Sequence, residues 1–173
     1  THYASVEKIP VKIRIDKLHC TEPYDYFGDD PILYISGLHS SDAHAWDGGK
    51  WTEEDQDDGE TFSVNRAIFA DSDARRSVST GQTVGLHVSL WDRDWATDAN
   101  IAKHEDVDPA QLGYNEIDYV DKIFDFDFLR THQNQSVSFS TTLTFPDSMW
   151  SYGGSQYELS YTLEIGSVAK VAP

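Results

Sequence analysis

The stretch from Trp91 to Asp94 carries the clearest chemistry in this chain, because two of its aspartates, Asp92 and Asp94, lie two residues apart. It follows an alternating apolar segment that predicts a strand. Side chains two apart in an extended backbone point to the same side, and adjacent carboxylates repel unless a cation lies between them. Asp98 and Asn100 follow as two more oxygen donors. Calcium takes about six to eight oxygen ligands, so the stretch predicts a cation site, with a solvated acidic turn as the alternative.

Short stretches with apolar residues at alternate positions recur along the chain and predict strands. Between them lie loops rich in Asp, Gly and Pro, of which His39–Glu60 is the longest. No stretch predicts a long helix, and no internal repeat is visible. Seven or eight such strands indicate an all-β antiparallel sandwich with its loops gathered at two ends. The predicted strands are Val11–Leu18, Ile32–Leu38, Thr61–Phe69, Thr83–Trp91, Leu112–Val120, Ser136–Phe145 and Gln156–Ile165.

Composition narrows the class of partner. Of the 173 residues, 30 are acidic and 13 are basic, so the net charge is −17. This charge excludes nucleic acid as a partner and argues against simple electrostatic docking on anionic lipid. Apolar content of 39% and aromatic content of 13% predict a folded protein. No linker divides the sequence, so we expect one domain over residues 1–173 with its core between about 11 and 166.

Cysteine use and hydropathy exclude further classes. Cys20 is the only cysteine, which rules out an internal disulfide and a multi-cysteine zinc site. No run approaches the roughly 20 apolar residues of a membrane span, so no transmembrane segment is expected. No signal peptide is visible, and a first residue other than Met is compatible with a processed protein or with a domain cut from a longer chain. The compartment therefore stays open between a secreted protein and one peripheral to a membrane.

Two motifs, each beside a predicted strand, resemble those of C2 domains. The segment from Asp25 to Pro31 contains Asp, then Gly, then Asp-Pro, and is similar to the first calcium loop of that family. The segment from Trp91 to Asp94 is similar to the Trp-Asp-x-Asp signature of its other major loop. Tyr157-Glu158-Leu159-Ser160-Tyr161 resembles the pattern of the family's last strand. The resemblance extends from about Val11 to Ile165 and implies an eight-stranded sandwich that binds calcium with loop aspartates at one end.

The resemblance also implies a set of calcium ligands. The family has a further aspartate in its second acidic loop, and that position holds Asn100 here, with Asp98 as a nearby substitute. Backbone carbonyls of Tyr24 and Arg93 would complete the shell around one to three ions. The implied ligands are Asp25, Asp30, Asp92, Asp94, Asp98, Asn100, Tyr24 and Arg93.

Three departures from the family pattern bear on the number of ions more than on the fold. The first loop has one residue fewer between its aspartates, Leu112-Gly113 comes late after an insertion, and the loop from Asp42 to Glu60 is unusually long and acidic. The insertion holds Glu105, Asp106 and Asp108, which we interpret as a solvated surface rather than as extra ligands.

Tryptophans and histidines offer further contacts. Trp95 lies within the acidic loop, and Trp46 and Trp51 flank a Gly-rich turn, so each is a candidate contact for lipid headgroups, sugars or protein. The alternative is that these tryptophans pack against the sandwich. Trp91 is expected to point opposite to its neighbour Asp92, into the core. The histidines are interpreted as ordinary loop or structural residues, and they are His39, His44 and His87.

We expect a binding module rather than an enzyme. No Gly-x-Ser-x-Gly context supports a Ser/His/Asp triad, and acids gathered on one loop are more typical of a chelator than of a glycosidase. The prediction is a calcium-binding C2-like module that mediates calcium-dependent association with a membrane or a partner. The alternative is a carbohydrate- or protein-recognition sandwich with structural calcium, in which Trp46 and Trp51 form the contact surface. A third class is an accessory domain of a secreted toxin or pore-forming protein.

Overall fold

A computed structural model describes residues 5–23, 28–42, 46–69, 77–92, 115–145 and 155–172. Over these ranges the chain forms two antiparallel sheets and one short helix, which confirms the expected all-β sandwich. It has ten strands rather than the seven or eight predicted. The strands are β1 (Val6–Glu22), β2 (Pro31–His39), β3 (Trp46–Thr52), β4 (Thr61–Ile68), β5 (Ser77–Ser79), β6 (Thr83–Asp92), β7 (Asn115–Asp125), β8 (Ser136–Phe145), β9 (Ser155–Ile165) and β10 (Ala169–Val171). The helix α1 spans Phe126–Thr131.

Alternating burial along the strands builds a single hydrophobic core between the sheets. In β9, Tyr157, Leu159 and Leu163 are fully buried, while the intervening Glu158 is exposed. This is the pattern of a strand that covers the core with one face and meets solvent with the other. The core cluster includes side chains from both sheets and extends from Ile9 to Ile165.

The long strand β1 organises one sheet and β2 with β6 organises the other. The first sheet has the order β10-β1-β9-β8, and β4 and β5 also pair with β1. The second has the order β3-β2-β6-β7. Register shifts between Ile15 and Lys17, and between Cys20 and Glu22, break the regular pairing of β1 with β9. Such bulges increase strand twist, which helps one long strand to serve several partners.

Several elements were absent from the sequence prediction. Strand β3 lies inside the region predicted as the loop His39–Glu60, where its Gly-rich sequence gave no alternating signal. Helix α1 begins after Asp125, whose side chain accepts a hydrogen bond from the Phe128 amide at 2.8 Å. Over the described ranges, no helix combines the length and the apolar character that crossing a bilayer requires.

The strand register places three chain segments at one end of the sandwich. Strand β2 begins where β6 ends, because Pro31 pairs with Asp92. Strand β3 also ends there, since Thr52 pairs with the second residue of β2. We call this end the acidic end, defined by the described segments 28–30 and 53–60 and by Asp92. Helix α1 lies at the opposite end, because Asp125 pairs with Thr83 at the start of β6.

Candidate metal site

Asp30 and Asp92 come from segments 62 residues apart and lie side by side at the acidic end. The backbone amide of Asp30 donates a hydrogen bond to Oδ1 of Asp92 at 3.1 Å. Asp92 is only 2% exposed, although it is the last residue of its strand. A buried carboxylate needs donors or a cation, because removal from water strongly disfavours its charge. The pairing of β2 with β6 therefore brings together one predicted ligand from each of the two motif loops.

A third segment, residues 53–60, adds acidic side chains to this end. The Asp55 amide donates to Oδ1 of Asp30 at 3.0 Å, and the Glu53 amide donates to the carbonyl of Pro31 at 3.2 Å. Asp55 has a φ of +55°, a left-handed conformation that Asp tolerates better than most residues. Sequence reasoning noted the acidity of this region but assigned it no ligand. Its density of Asp and Glu before Gly59 was the available signal.

Asp29 anchors the first loop to the core and was not singled out from the sequence. It is fully buried, and its backbone exchanges two hydrogen bonds with Gln56, at 3.0 and 2.8 Å. Its Oδ2 accepts a hydrogen bond from the Tyr157 hydroxyl. Burial, followed by the negative charge of Asp29, raises the pKa of Tyr157 above its ordinary value. Tyr157 therefore stays protonated and remains a donor to Asp29.

Cys20 lies beside this pair and is inert as a metal ligand. It is fully buried and pairs with Tyr157 across β1 and β9. Burial raises the pKa of the thiol to about 12. Because the thiolate is the form that binds metal, a protonated Cys20 contributes no sulfur ligand.

Gln56 ties the third segment to β1 and leaves one acceptor over. Its Nε2 donates to the Leu18 carbonyl at 2.8 Å and to the Glu60 carbonyl at 3.1 Å. Its Oε1 is buried and has no hydrogen-bond partner among the described residues, and the same holds for Oγ of Ser155. Buried acceptors without donors are uncommon in folded proteins.

The donor chemistry of the acidic end fits a hard cation. The groups that meet there offer carboxylate and amide oxygens and no sulfur or imidazole, which is the set that calcium prefers. Within the described ranges, no group of three or more His, Cys, Asp or Glu is arranged to hold an ion by itself. The described residues thus supply part of a shell, and the remaining predicted ligands belong to the loops that follow β1 and β6.

The predicted residues divide into three groups. Asp30 and Asp92 are brought together, as described above. The side chain of Trp46 is outside the described part of the chain, although its backbone begins β3. The other predicted ligands and contacts lie outside the described residues, and they are Tyr24, Asp25, Arg93, Asp94, Asp98, Asn100 and Trp95.

Two tryptophan predictions need correction. Trp51 is only 6% exposed and belongs to the core, so it does not form a contact surface. It pairs with the fully buried Leu33, which places it on the inner face of the second sheet. Trp91 is not in the core. It is half-buried on the outer face, where its ring meets Tyr34 edge to face at a centroid distance of 6.5 Å.

The physical reason for the second correction is the phase of β6. Val84, Leu86 and Leu90 are fully buried, so the even-numbered residues of this strand face the core. Asp92 continues this inward series at the end of the strand, and Trp91 therefore faces outward.

His39 is structural rather than a ligand. It is 6% exposed, its Nε2 lies 3.0 Å from the Ser77 carbonyl, and its Nδ1 accepts from the Ser41 amide at 3.2 Å. Both ring nitrogens are therefore used, with the proton on Nε2. His44 lies outside the described residues.

Comparison with known proteins gives similarity in fold only. No protein-family model matches the chain, and no curated protein does. The first of the C2 domains of plant extended synaptotagmin 1, domain A, is 11% identical, with 96% of this chain and 98% of that chain covered, at a TM-score of 0.45. A structure described as a C2 domain is 9% identical, with 92% of this chain and 98% of that chain covered, at a TM-score of 0.43.

A third similar structure is human GIVD cytosolic phospholipase A2 in complex with methyl gamma-linolenyl fluorophosphonate. It is 12% identical at a TM-score of 0.47, and the match covers 98% of this chain but 20% of that chain. Two of these three structures are C2 domains, the family that the sequence motifs resemble. At these identities and TM-scores, the assignment of a ligand rests on the residues of this chain alone.

Proposed function

We propose that this chain is a calcium-binding, C2-like module that acts by association with a membrane or a partner, and not by catalysis. The observation that supports this proposal most directly is the meeting of Asp30 with the buried Asp92. The chain brings two acidic side chains together from opposite sides of a loop end, where a divalent cation relieves their repulsion.

The acidic segment 53–60 strengthens the proposal, because it lies against the same site. Its backbone holds Oδ1 of Asp30 through the Asp55 amide. A carboxylate that is held in place before the ion arrives loses less conformational freedom on binding. Asp25, Asp94, Asp98 and Asn100 supply further oxygens in this proposal.

Net charge sets the form of any membrane contact. Two calcium ions add four positive charges, which leaves a chain of net charge −17 still strongly negative. Contact with an anionic membrane must then be local, with a lipid phosphate completing the shell of the ion and Trp95 inserting beside it.

Calcium titration by calorimetry tests the metal site. We expect the wild type to bind calcium and Asp92→Asn to lose at least about tenfold in affinity, because one charged ligand becomes neutral. Asp127→Asn is the matched control, since it removes the same charge from the first turn of α1, at the opposite end. Absence of calcium binding by the wild type, or equal affinities for all three proteins, contradicts the proposal.

Vesicle co-sedimentation tests the membrane contact separately. Phosphatidylserine vesicles should pellet the wild type in calcium and release it in chelator. Equal pelleting in both conditions would leave calcium binding without a membrane role and would favour a protein partner.

A further inference from the structure

The outer face of the second sheet carries four rings arranged around one serine. Ser89 lies at the centre of this face on β6, and it pairs with Tyr34 of β2 on one side and with Tyr119 of β7 on the other. His87 and Trp91 lie two residues before and after it on the same strand. We call these five residues the ring face.

The register fixes the size of the ring face. Adjacent strands are about 4.8 Å apart, so Tyr34 and Tyr119 lie roughly 10 Å apart across Ser89. Four residues of extended strand separate His87 from Trp91 by about 13 Å. The face is therefore a platform about as long as a disaccharide or trisaccharide in either direction.

Ring contacts hold the platform in place. Tyr34 packs edge to face against Trp91 at 6.5 Å, and Tyr119 packs on His87 at 5.3 Å, with centroid distances given in both cases. The Trp91 indole donates to Oγ of Ser89 at 2.9 Å. These contacts reduce the freedom that the rings lose when a ligand binds.

The rings remain open to solvent. Tyr119 is 53% exposed, and Ile123, further along β7 on the same face, is 50% exposed. Tyr34, His87 and Trp91 are half-buried. Large exposed aromatic and apolar side chains on one sheet face mark a contact surface more often than a passive one.

The ring face differs from the rest of the protein in charge. Its described rim holds one cation, Lys50 beside Tyr34, and one anion, Asp121 beside His87. The face is thus close to neutral, in a chain whose net charge is −17. A single lysine is too little to hold a phosphorylated or anionic ligand, which depends on clusters of positive charge.

We propose that the ring face binds a neutral oligosaccharide of β-linked glucopyranose or N-acetylglucosamine units. Such sugars have flat apolar faces of C–H groups, which stack on the negative faces of aromatic rings, and equatorial hydroxyl and amide groups at their edges. Lys50 and Asp121 are placed at the rim to bond those edges. The rings supply contact area, and the polar rim supplies orientation.

This inference is independent of the calcium proposal. None of the five ring-face residues is a proposed metal ligand, although Trp91 neighbours Asp92. It also moves the contact surface for sugar away from Trp51, which is buried in the core.

Calorimetric titration with cellohexaose and chitohexaose, in the presence of chelator, tests the inference. We expect saturable binding of at least one sugar, and a loss of about tenfold or more in affinity for Tyr34→Ala and for Tyr119→Ala. Thr142→Ala is the control, because it truncates an exposed side chain on β8, in the other sheet, and should bind as the wild type does.

Circular dichroism and thermal unfolding establish that the variants fold, and the exposure of Tyr119 favours its tolerance of truncation. Absence of saturable binding to both sugars overturns the inference. So does equal affinity of the wild type and the two tyrosine variants. Loss of phosphatidylserine-vesicle binding by these variants, without any sugar binding, would assign the face to lipid instead and would equally overturn it.

Discussion

The hydroxyl of Tyr157 donates a hydrogen bond to the buried carboxylate of Asp29, across 128 residues of sequence. Tyr157 belongs to the central strand β9, and Asp29 directly precedes the predicted ligand Asp30. The bond therefore links the core of the first sheet to the loop that carries the candidate metal site. Because Asp29 is fully buried, it has no access to water as a substitute donor.

Removal of this donor should destabilise the fold. We expect Tyr157→Phe to lower the free energy of unfolding by about 1–3 kcal/mol, since a buried charged acceptor loses its partner. Tyr161→Phe is the matched control on the same strand, because its hydroxyl bonds to Thr141, a neutral group. It should cost about 1 kcal/mol or less. Urea unfolding measures both, and equal midpoints for the two variants would contradict the assigned role of Asp29.

The buried thiol and phenol predict a loss of stability in alkali. The folded chain holds the Cys20 proton up to a pKa of about 12, whereas the unfolded thiol titrates near its ordinary value of 9.0. The raised pKa of Tyr157 acts in the same direction above about pH 10. The unfolded state then binds fewer protons than the folded state, so the free energy of unfolding is level below about pH 9 and falls as pH rises above it.

Cys20→Ala isolates the contribution of the thiol. The stability difference between the wild type and this variant should shift by about 1 kcal/mol between pH 8 and pH 10, in favour of the variant. Chemical unfolding at a series of pH values measures the shift under reducing conditions. A difference that stays constant with pH would show that the folded and unfolded thiols titrate alike.

Two glycines with similar backbone conformations should respond differently to alanine. Gly28 and Gly59 have φ of +93° and +82°, a region that disfavours a side chain. A Cβ at Gly28 would lie 2.6 Å from Oδ1 of Asp57, whereas one at Gly59 meets no atom within 4 Å. We expect Gly59→Ala to cost about 1–2 kcal/mol from the backbone alone, and Gly28→Ala to cost more.

The excess for Gly28→Ala measures how firmly Asp57 is held against the first loop. Thermal or urea unfolding of the two variants, side by side, supplies the comparison. Equal costs would mean that Asp57 moves aside freely and does not brace the acidic end.

Calcium should raise the melting temperature if the acidic end binds it. At a free concentration a hundredfold above Kd, binding to the folded form alone adds about 2.7 kcal/mol, which corresponds to roughly 5–10 °C for a chain of this size. Asp30→Asn should lose most of this shift, and Asp127→Asn should retain it. Chelator should reverse the shift in every protein that shows it, and a shift of equal size in Asp30→Asn would remove that residue from the ligand set.

Much of the fold was predictable because strand signals are local. Seven predicted strands recur in β1, β2, β4, β6, β7, β8 and β9. Strand β3 was missed, because Gly48 and Gly49 interrupt its pattern and its pairing with β2 supplies the stability that its own sequence lacks. The phase of β6 was also readable, since Val84, Leu86, Val88 and Leu90 all mark the inward side, yet Trp91 was assigned to the core on the basis of its neighbour.

The amino-acid sequence by itself determined where strands form and which acids stand at their ends, because backbone geometry couples side-chain direction to neighbours two residues away. Only the tertiary structure decided which of those ends meet. The nearness of Asp30 to Asp92, the burial of Asp29 under Tyr157 and the outward row of rings around Ser89 all depend on the register between strands far apart in sequence. That register is set by the packing of two sheets over one core, which no local pattern encodes.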